Sequence, residues 1–230
     1  MRWIATLVIA LVAGFAGAAA WDYTGLAPDR TREALMANPE MLPEAMQEFQ
    51  RREMVARLEP LRNELEAPFP GAVLGNPDGD VTLVEFSDYA CGYCRQSLAH
   101  VQQLIAANPD LKVVIREYPI LSPGSADAAR MALAAAQQGR FEAFHNAMFA
   151  AESLTPESIA AAAREAGVDL ETARAAIDQG MFESQLQNNV FLAQNMGVSG
   201  TPAWVVGDQI LSGAVGPGVL GGAIQEARDS

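Results

Sequence analysis

Residues 81–119 read VTLVEFSDYACGYCRQSLAHVQQLIAANPDLKVVIREYP, and no other stretch restricts the fold so tightly. VTLVEFSD, residues 81–88, is apolar at most positions, the pattern of a buried strand. LKVVIREYP, residues 111–119, reads as a second strand. Between them, Gly92 to Ala107 reads as a helix with Leu98, Val101, Leu104 and Ile105 on one face. Strand, helix, strand with short connections is a βαβ unit, and it implies parallel pairing and an α/β fold.

The flanks extend this pattern. After residue 119 come about 75 residues without a strand signal, where helices are predicted near 125–138, 141–151, 155–166, 169–179 and 183–196. LTPES and GVDLETA look like helix starts, each with a capping residue ahead of an acidic first turn. AWVV at 203–206 and QILS at 209–212, separated by GD, predict a hairpin, and residues 217–228 a last helix. Upstream, APFPGAV and GNPDGD supply the proline and glycine punctuation of a domain boundary. Residues 21–29 read as a linker, followed by a helical arm over 31–67. In the arm, Leu42, Met46 and Phe49, then Val55, Leu58, Leu61 and Leu65, recur at helical spacing; Pro43 suits a first turn and Pro60 should kink or divide the helix. The expected organisation is a terminal segment 1–20, linker and arm 21–67, and a domain 70–230 with a helical insertion at about 123–197.

Residues 1–20 carry one arginine, an uncharged apolar run, and Ala18 and Ala20 spaced like a cleavage site. This reads as an export signal, either cleaved or kept as an N-terminal anchor with Trp21 and Tyr23 at the interface. The expected location is periplasmic or otherwise extracytoplasmic, soluble after cleavage or tethered. A formal net charge of −13 argues against a phosphate-binding surface and hence against nucleic acid as a partner.

Cys91 and Cys94 are the two cysteines of the chain. A c-type haem site needs histidine after the second cysteine, where Arg95 stands. Structural zinc needs four ligands, and His100 (expected on a helix surface) and His145 (expected on a helix of the insertion) offer no paired spacing. A lone bridge closing so short a loop stabilises little. A redox pair on an exported βαβ unit fits better, because disulfides persist outside the cytoplasm. Cys91 sits at the start of the helix, where unpaired N–H groups favour a thiolate, and Cys94 lies one turn on along the same side. Cys91 is therefore the expected nucleophile and Cys94 the resolving thiol. Glu85 falls inside the buried run, where an acid accepts or supplies a proton when Cys94 is activated. Pro202 stands directly before a short strand, a position that often marks a cis bond.

The order strand, C-x-x-C helix, strand, helical insertion, Thr-Pro, hairpin, helix resembles the DsbA-like branch of the thioredoxin superfamily. VEFSDYACGYC and GTPAW carry the resemblance, over roughly residues 70–228. It implies a thioredoxin-like fold with an inserted helical region, redox cysteines at Cys91 and Cys94, a buried acid at Glu85 and a cis-proline at Pro202 preceded by Thr201. The helical arm is similar to the extension of ScsC-like and Com1-like relatives, where it mediates oligomerisation. Strongly oxidising members carry Pro-His between the cysteines; this chain carries Gly92-Tyr93, which with Thr201 looks more like the periplasmic disulfide isomerases.

The function expected is exchange of disulfides with protein substrates, leaning to isomerase or moderate oxidase. Tyr93, Thr201 and Pro202 would receive the peptide, with Trp204 either beside them or in the core. The expected partners are unfolded or misoxidised exported proteins, a membrane partner that recycles the pair, and further copies of the chain through the arm. No organic cofactor or metal is required, since the cysteine pair carries two electrons. The rival of another class is a thioredoxin-like module whose C-x-x-C holds a soft metal ion such as copper, or a chaperone without redox turnover.

Overall fold

The computed structural model describes residues 2–23 and 30–229. The chain divides into two compact units, one ending at Gln50 and one starting at Arg51. The first contains α1 (Arg2–Tyr23), α2 (Arg30–Ala37) and the start of α3 (Met41–Leu58). Residues 24–29 of the expected linker lie outside the described residues, as do the side chains of Ala18, Ala20, Trp21 and Tyr23. Among the described residues, no helix is long and apolar enough to cross a membrane.

The second unit is built on a five-stranded sheet of order β1-β3-β2-β4-β5. Its strands are β1 (Val73–Gly75), β2 (Val81–Ser87), β3 (Leu111–Glu117), β4 (Ala203–Val206) and β5 (Gln209–Ser212). The arm ends in the short α4 (Arg62–Glu66), ahead of β1. α5 (Gly92–Ala107) connects β2 to β3, which pair in parallel with Leu83 opposite Val113. β4 is antiparallel to β2, and the two-residue turn to β5 uses Gly207 at φ +53°, a conformation glycine adopts without strain. The insertion is α6 (Pro123–Gln137), α7 (Phe141–Ala150), α8 (Pro156–Glu165), α9 (Leu170–Asp178) and α10 (Glu183–Asn195); α11 (Pro217–Asp229) closes the chain. Thr155 and Asp169 cap α8 and α9 through their side chains.

One reading of these segments needs correction. The boundary segment contains β1, whose three residues pair antiparallel with β3 from Val73 opposite Val114. The arm is divided where Pro60 was expected to divide it. Pro60 falls in a 3-10 turn, Glu59–Leu61, that separates α3 from α4, and the apolar stripe changes role along its length. Leu42, Met46 and Phe49 are exposed, whereas Leu58 and Leu65 are wholly buried against Val84, Phe86 and Val114 of the sheet. Burying two leucines contributes roughly 3–6 kcal/mol, enough to make residues 58–67 part of the domain core.

The sheet has two buried faces, as its continuous apolar runs require. Leu83, Val113, Ile115 and Trp204 face α5 and the insertion. Val84, Phe86, Val114 and Val205 face the end of the arm and α10. Glu85 and Glu117 fall on the first face by alternation, Arg116 on the second.

Candidate active site

β2 ends at Ser87, and a tight turn delivers Cys91 to the start of α5. Asp88, 1% exposed, organises this turn. Its carboxylate accepts from the N–H of Ala90 at 2.8 Å, Ile120 at 2.8 Å and Leu121 at 2.9 Å, which ties the turn after β2 to the loop after β3. Cys91 is the N-cap of α5: its Sγ accepts the N–H of Cys94 at 3.4 Å. The same Sγ donates to the carbonyl of Thr201 at 3.2 Å. The Thr201–Pro202 bond is cis. One sulfur atom therefore touches both the first turn of the helix and the proline loop. Both thiols are free and largely buried.

Glu85 sits beneath the pair, 3% exposed, with Trp204 and Ile115 as its strand partners. Burial pushes its carboxyl up to about 8. Burial first, and the charge of Glu85 second, push the Cys94 thiol far up. Glu85 and Cys94 are thus two buried groups coupled through charge, the condition a proton exchange between them needs.

Tyr93 is 61% exposed on the outer side of α5, next to the thiols in sequence. Thr201 is half-buried and its hydroxyl oxygen has no partner, while Pro202 is buried. Trp204 is not at the surface: it is fully buried, and its Nε1 donates to Gly213 O at 2.9 Å. The structure thus gathers Cys91, Cys94, Glu85, Thr201 and Pro202, with Tyr93 at the rim and Trp204 in the core. His100 is half-buried rather than on the surface, and His145 is fully enclosed.

Sequence reasoning did not find a second buried polar group here. The Tyr89 hydroxyl lies 3.0 Å from a carboxyl oxygen of Glu117 and 3.0 Å from Nδ1 of His145. All three side chains are buried. Phe144, Phe149 and Phe141 box them in, with Tyr89 and Phe149 ring centres 4.9 Å apart. Burial lowers His145 to about 3, so its imidazole is neutral. Burial also raises Glu117 well above the usual carboxylate range, against the lowering effect of the Tyr89 hydrogen bond, and nearby Asp88 and Glu85 add to the rise. The available signals were the alternation of β3, which turns Glu117 inward, and the Phe141, Phe144, Phe149 stripe, which carries His145 on the apolar face of its helix. Among the described residues, no group of three or more His, Cys, Asp or Glu could hold a metal ion.

Residues 82–225 match the DSBA-like thioredoxin domain. Among solved structures, a thioredoxin-like oxidoreductase from Silicibacter pomeroyi is 43% identical, covering 69% of this chain and 92% of that one, with a TM-score of 0.66. Salmonella enterica Typhimurium BcfH is 28% identical over 97% of this chain and 99% of its own, at a TM-score of 0.69. A linker-deletion mutant of Proteus mirabilis ScsC is 26% identical, covering 86% and 92%, at 0.67. Of curated sequences, the Na(+)/H(+) antiporter NhaA 3 of Salinispora tropica is 29% identical over 158 residues, 67% of this chain. The chain spans about a quarter of that relative's length, 24%. With a C-x-x-C pair capping the helix after β2, a cis-proline loop touching its first sulfur, and a domain match over most of the folded unit, the chain belongs to the DsbA-like thioredoxin family.

Proposed function

We propose that this chain is an exported protein thiol–disulfide oxidoreductase, with Cys91 as nucleophile, Cys94 as resolving thiol and Glu85 as proton acceptor. The observation that carries the reading is the position of Cys91 Sγ between the Cys94 N–H and the Thr201 carbonyl. In the reducing direction, the Cys91 thiolate attacks a substrate disulfide and releases one substrate thiolate. Cys94 then gives its proton to the Glu85 carboxylate and attacks Cys91 Sγ. A Cys91–Cys94 disulfide forms and the second substrate thiolate leaves. Two electrons pass from the pair to the substrate, without bound cofactor or metal. Run in reverse, the same steps oxidise a substrate dithiol. Isomerisation ends instead with a substrate thiol displacing Cys91, and the Gly92-Tyr93 pair favours that use. Tyr93, Thr201 and Pro202 contact the client peptide.

Export rests on the N-terminal segment and on a periplasmic thioredoxin-like protein of Salmonella enterica serovar Typhimurium, 28% identical over 74% of this chain. A recycling partner in the membrane follows from the need to reset the pair after each turnover. Oligomerisation is proposed for the first unit alone, where Leu42, Met46 and Phe49 are exposed while Leu58 and Leu65 are committed to the domain. Several Cys91 sites held together would attack a bound client again before it escapes.

The test is reduction of insulin and recovery of scrambled ribonuclease by the purified chain, against Cys91→Ser. Activity in both assays, lost in the variant, is the expected outcome; inactivity in both contradicts the reading. Deleting residues 31–50 should convert an oligomer to monomer in sedimentation and cost the ribonuclease activity while sparing insulin reduction. Sedimentation of the full chain as a monomer at micromolar concentration removes the oligomer.

A further inference from the structure

We propose that Glu117, Tyr89 and His145 form a buried proton-holding relay that keeps Glu117 uncharged and leaves Glu85 as the carboxyl that exchanges protons with Cys94. The inference rests on the exchange reading above and adds three positioning residues to it. Its geometry is a chain of two contacts of 3.0 Å linking β3, the thiol turn and α7.

In the parallel register, Glu85 faces Ile115 and Ser87 faces Glu117. The two carboxyls therefore rise from one face of adjacent strands, one pleat apart. Both are buried, and two carboxylates so placed cannot both ionise cheaply. Something must decide which holds the proton.

The Tyr89 hydroxyl has one hydrogen and two neighbours, so the chain runs in one of two directions. In the first, protonated Glu117 donates to the Tyr89 oxygen and Tyr89 donates to Nδ1 of a neutral His145. In the second, Tyr89 donates to a Glu117 carboxylate and an Nδ1–H of His145 donates to Tyr89. The second places a negative charge in a dry site already shared with Glu85 and Asp88, at the cost of desolvating it. Burial acts on Glu117 and His145 in the direction of the first. The titratable groups that act on Glu117 are Glu85 on β2 and Asp88 and Tyr89 in the turn, with His145 on α7 at the far end of the chain. From α10, Asn189 contributes an uncharged amide that donates to the Glu117 backbone carbonyl at 2.9 Å.

The consequence falls on the resolving step. Cys94 gives its proton to the Glu85 carboxylate, and the resulting thiolate attacks Cys91 Sγ of the mixed disulfide and expels the substrate thiolate. A charged Glu117 would oppose the free Glu85 carboxylate that takes this proton. Held neutral, it does not.

The test uses the full chain. On the wild type, nitrogen-15 NMR should find His145 protonated on Nε2 and bare on Nδ1. Infrared spectra at neutral pH should show a carboxylic-acid carbonyl band that disappears in Glu117→Gln and outlasts the Glu85 band as pH is raised. A proton on Nδ1, or no band lost in Glu117→Gln, overturns the relay. His145→Phe, which keeps an aromatic ring in the box, frees Tyr89 to donate to Glu117. The pH midpoint for resolution of a Cys91 mixed disulfide should then rise by about one unit, a tenfold slowing at fixed pH. Adding Glu117→Gln should restore it, a rescue that a merely structural role for His145 does not predict. An unmoved midpoint, or one that Glu117→Gln fails to restore, also overturns the relay. If His145→Phe does not fold, the wild-type spectra decide. A wild type that resolves no mixed disulfide at any pH refutes the exchange reading instead, and the spectra still judge the relay.

Discussion

The two faces of the sheet bury ionisable groups on opposite terms. On the face away from the thiols, Arg116 is 2% exposed, and its donors are engaged. Nε and Nη2 donate to Leu65 O at 3.2 and 2.9 Å, Nη2 to Ala67 O at 2.6 Å and to Glu64 O, and Nη1 to Asn189 Oδ1 at 3.2 Å. Burial lowers its guanidinium only to about 10, so it stays charged at neutral pH. It closes the carbonyl end of α4 and fixes residues 62–67 to the sheet. On the thiol face, burial shifts Glu85 to about 8, into the range where it exchanges protons near neutral pH. A buried charge whose hydrogen bonds are complete is architecture. A buried acid that burial pushes toward neutrality is poised for chemistry.

Arg116→Met should break the first half of this comparison with the largest effect. It leaves the carbonyls of Glu64, Leu65 and Ala67 without their donor, at a cost of about 3–5 kcal/mol in denaturant unfolding. Exchange by the protein that remains folded should stay within about twofold of wild type.

Glu85→Gln addresses the other face. Resolution by Cys94 should slow about 10- to 100-fold, seen as a mixed disulfide that persists in single-turnover assays. Its stability should move the opposite way from Arg116→Met. Folding raises the Glu85 carboxyl from 4.5 to about 8, so between those values the folded state binds more protons than the unfolded one. Wild-type stability therefore falls as pH rises through that window, with a slope approaching about 1.4 kcal/mol per unit from this group. Glu85→Gln should flatten that slope in urea titrations at pH 5 to 8. Equal slopes in the two proteins contradict the assignment.

A smaller effect is expected from Tyr93→His. A cation beside the Cys91 thiolate stabilises the reduced pair and makes it a stronger oxidant. The reduction potential against glutathione should rise by about 30 mV, a factor of ten in the exchange equilibrium.

Much of this was legible in the sequence, and what was not has physical reasons. β2, β3 and β4 are mostly apolar runs, β5 follows β4 across a Gly-Asp turn, and α6, α8 and α9 carry their own caps, so local pattern sufficed. β1 escaped because three residues between proline and glycine carry no period; β3 makes them a strand. The arm misled because Leu42 and Leu58 have the same helical spacing. Whether a stripe is covered depends on what folds against it, and the end of α3, from Met54 to Leu58, and α4 pack on the sheet. Cys91, Cys94 and Glu85 lie within ten residues, and Pro202 announces itself by its place before a strand. Tyr89, Glu117 and His145 meet only when the fold joins positions 28 and 56 residues apart. No spacing rule links them.

The central claim is the division of labour between the two thiols, and mass spectrometry of a trapped adduct tests it most directly. Cys94→Ser and Cys91→Ser are each incubated with a disulfide-bonded peptide and quenched in acid. Cys94→Ser should accumulate a mixed disulfide on Cys91, because nothing remains to resolve it. Cys91→Ser should stay unmodified, because Cys94 is buried and keeps its proton. An adduct that accumulates on Cys94 in Cys91→Ser, with none on Cys91 in Cys94→Ser, would contradict the account.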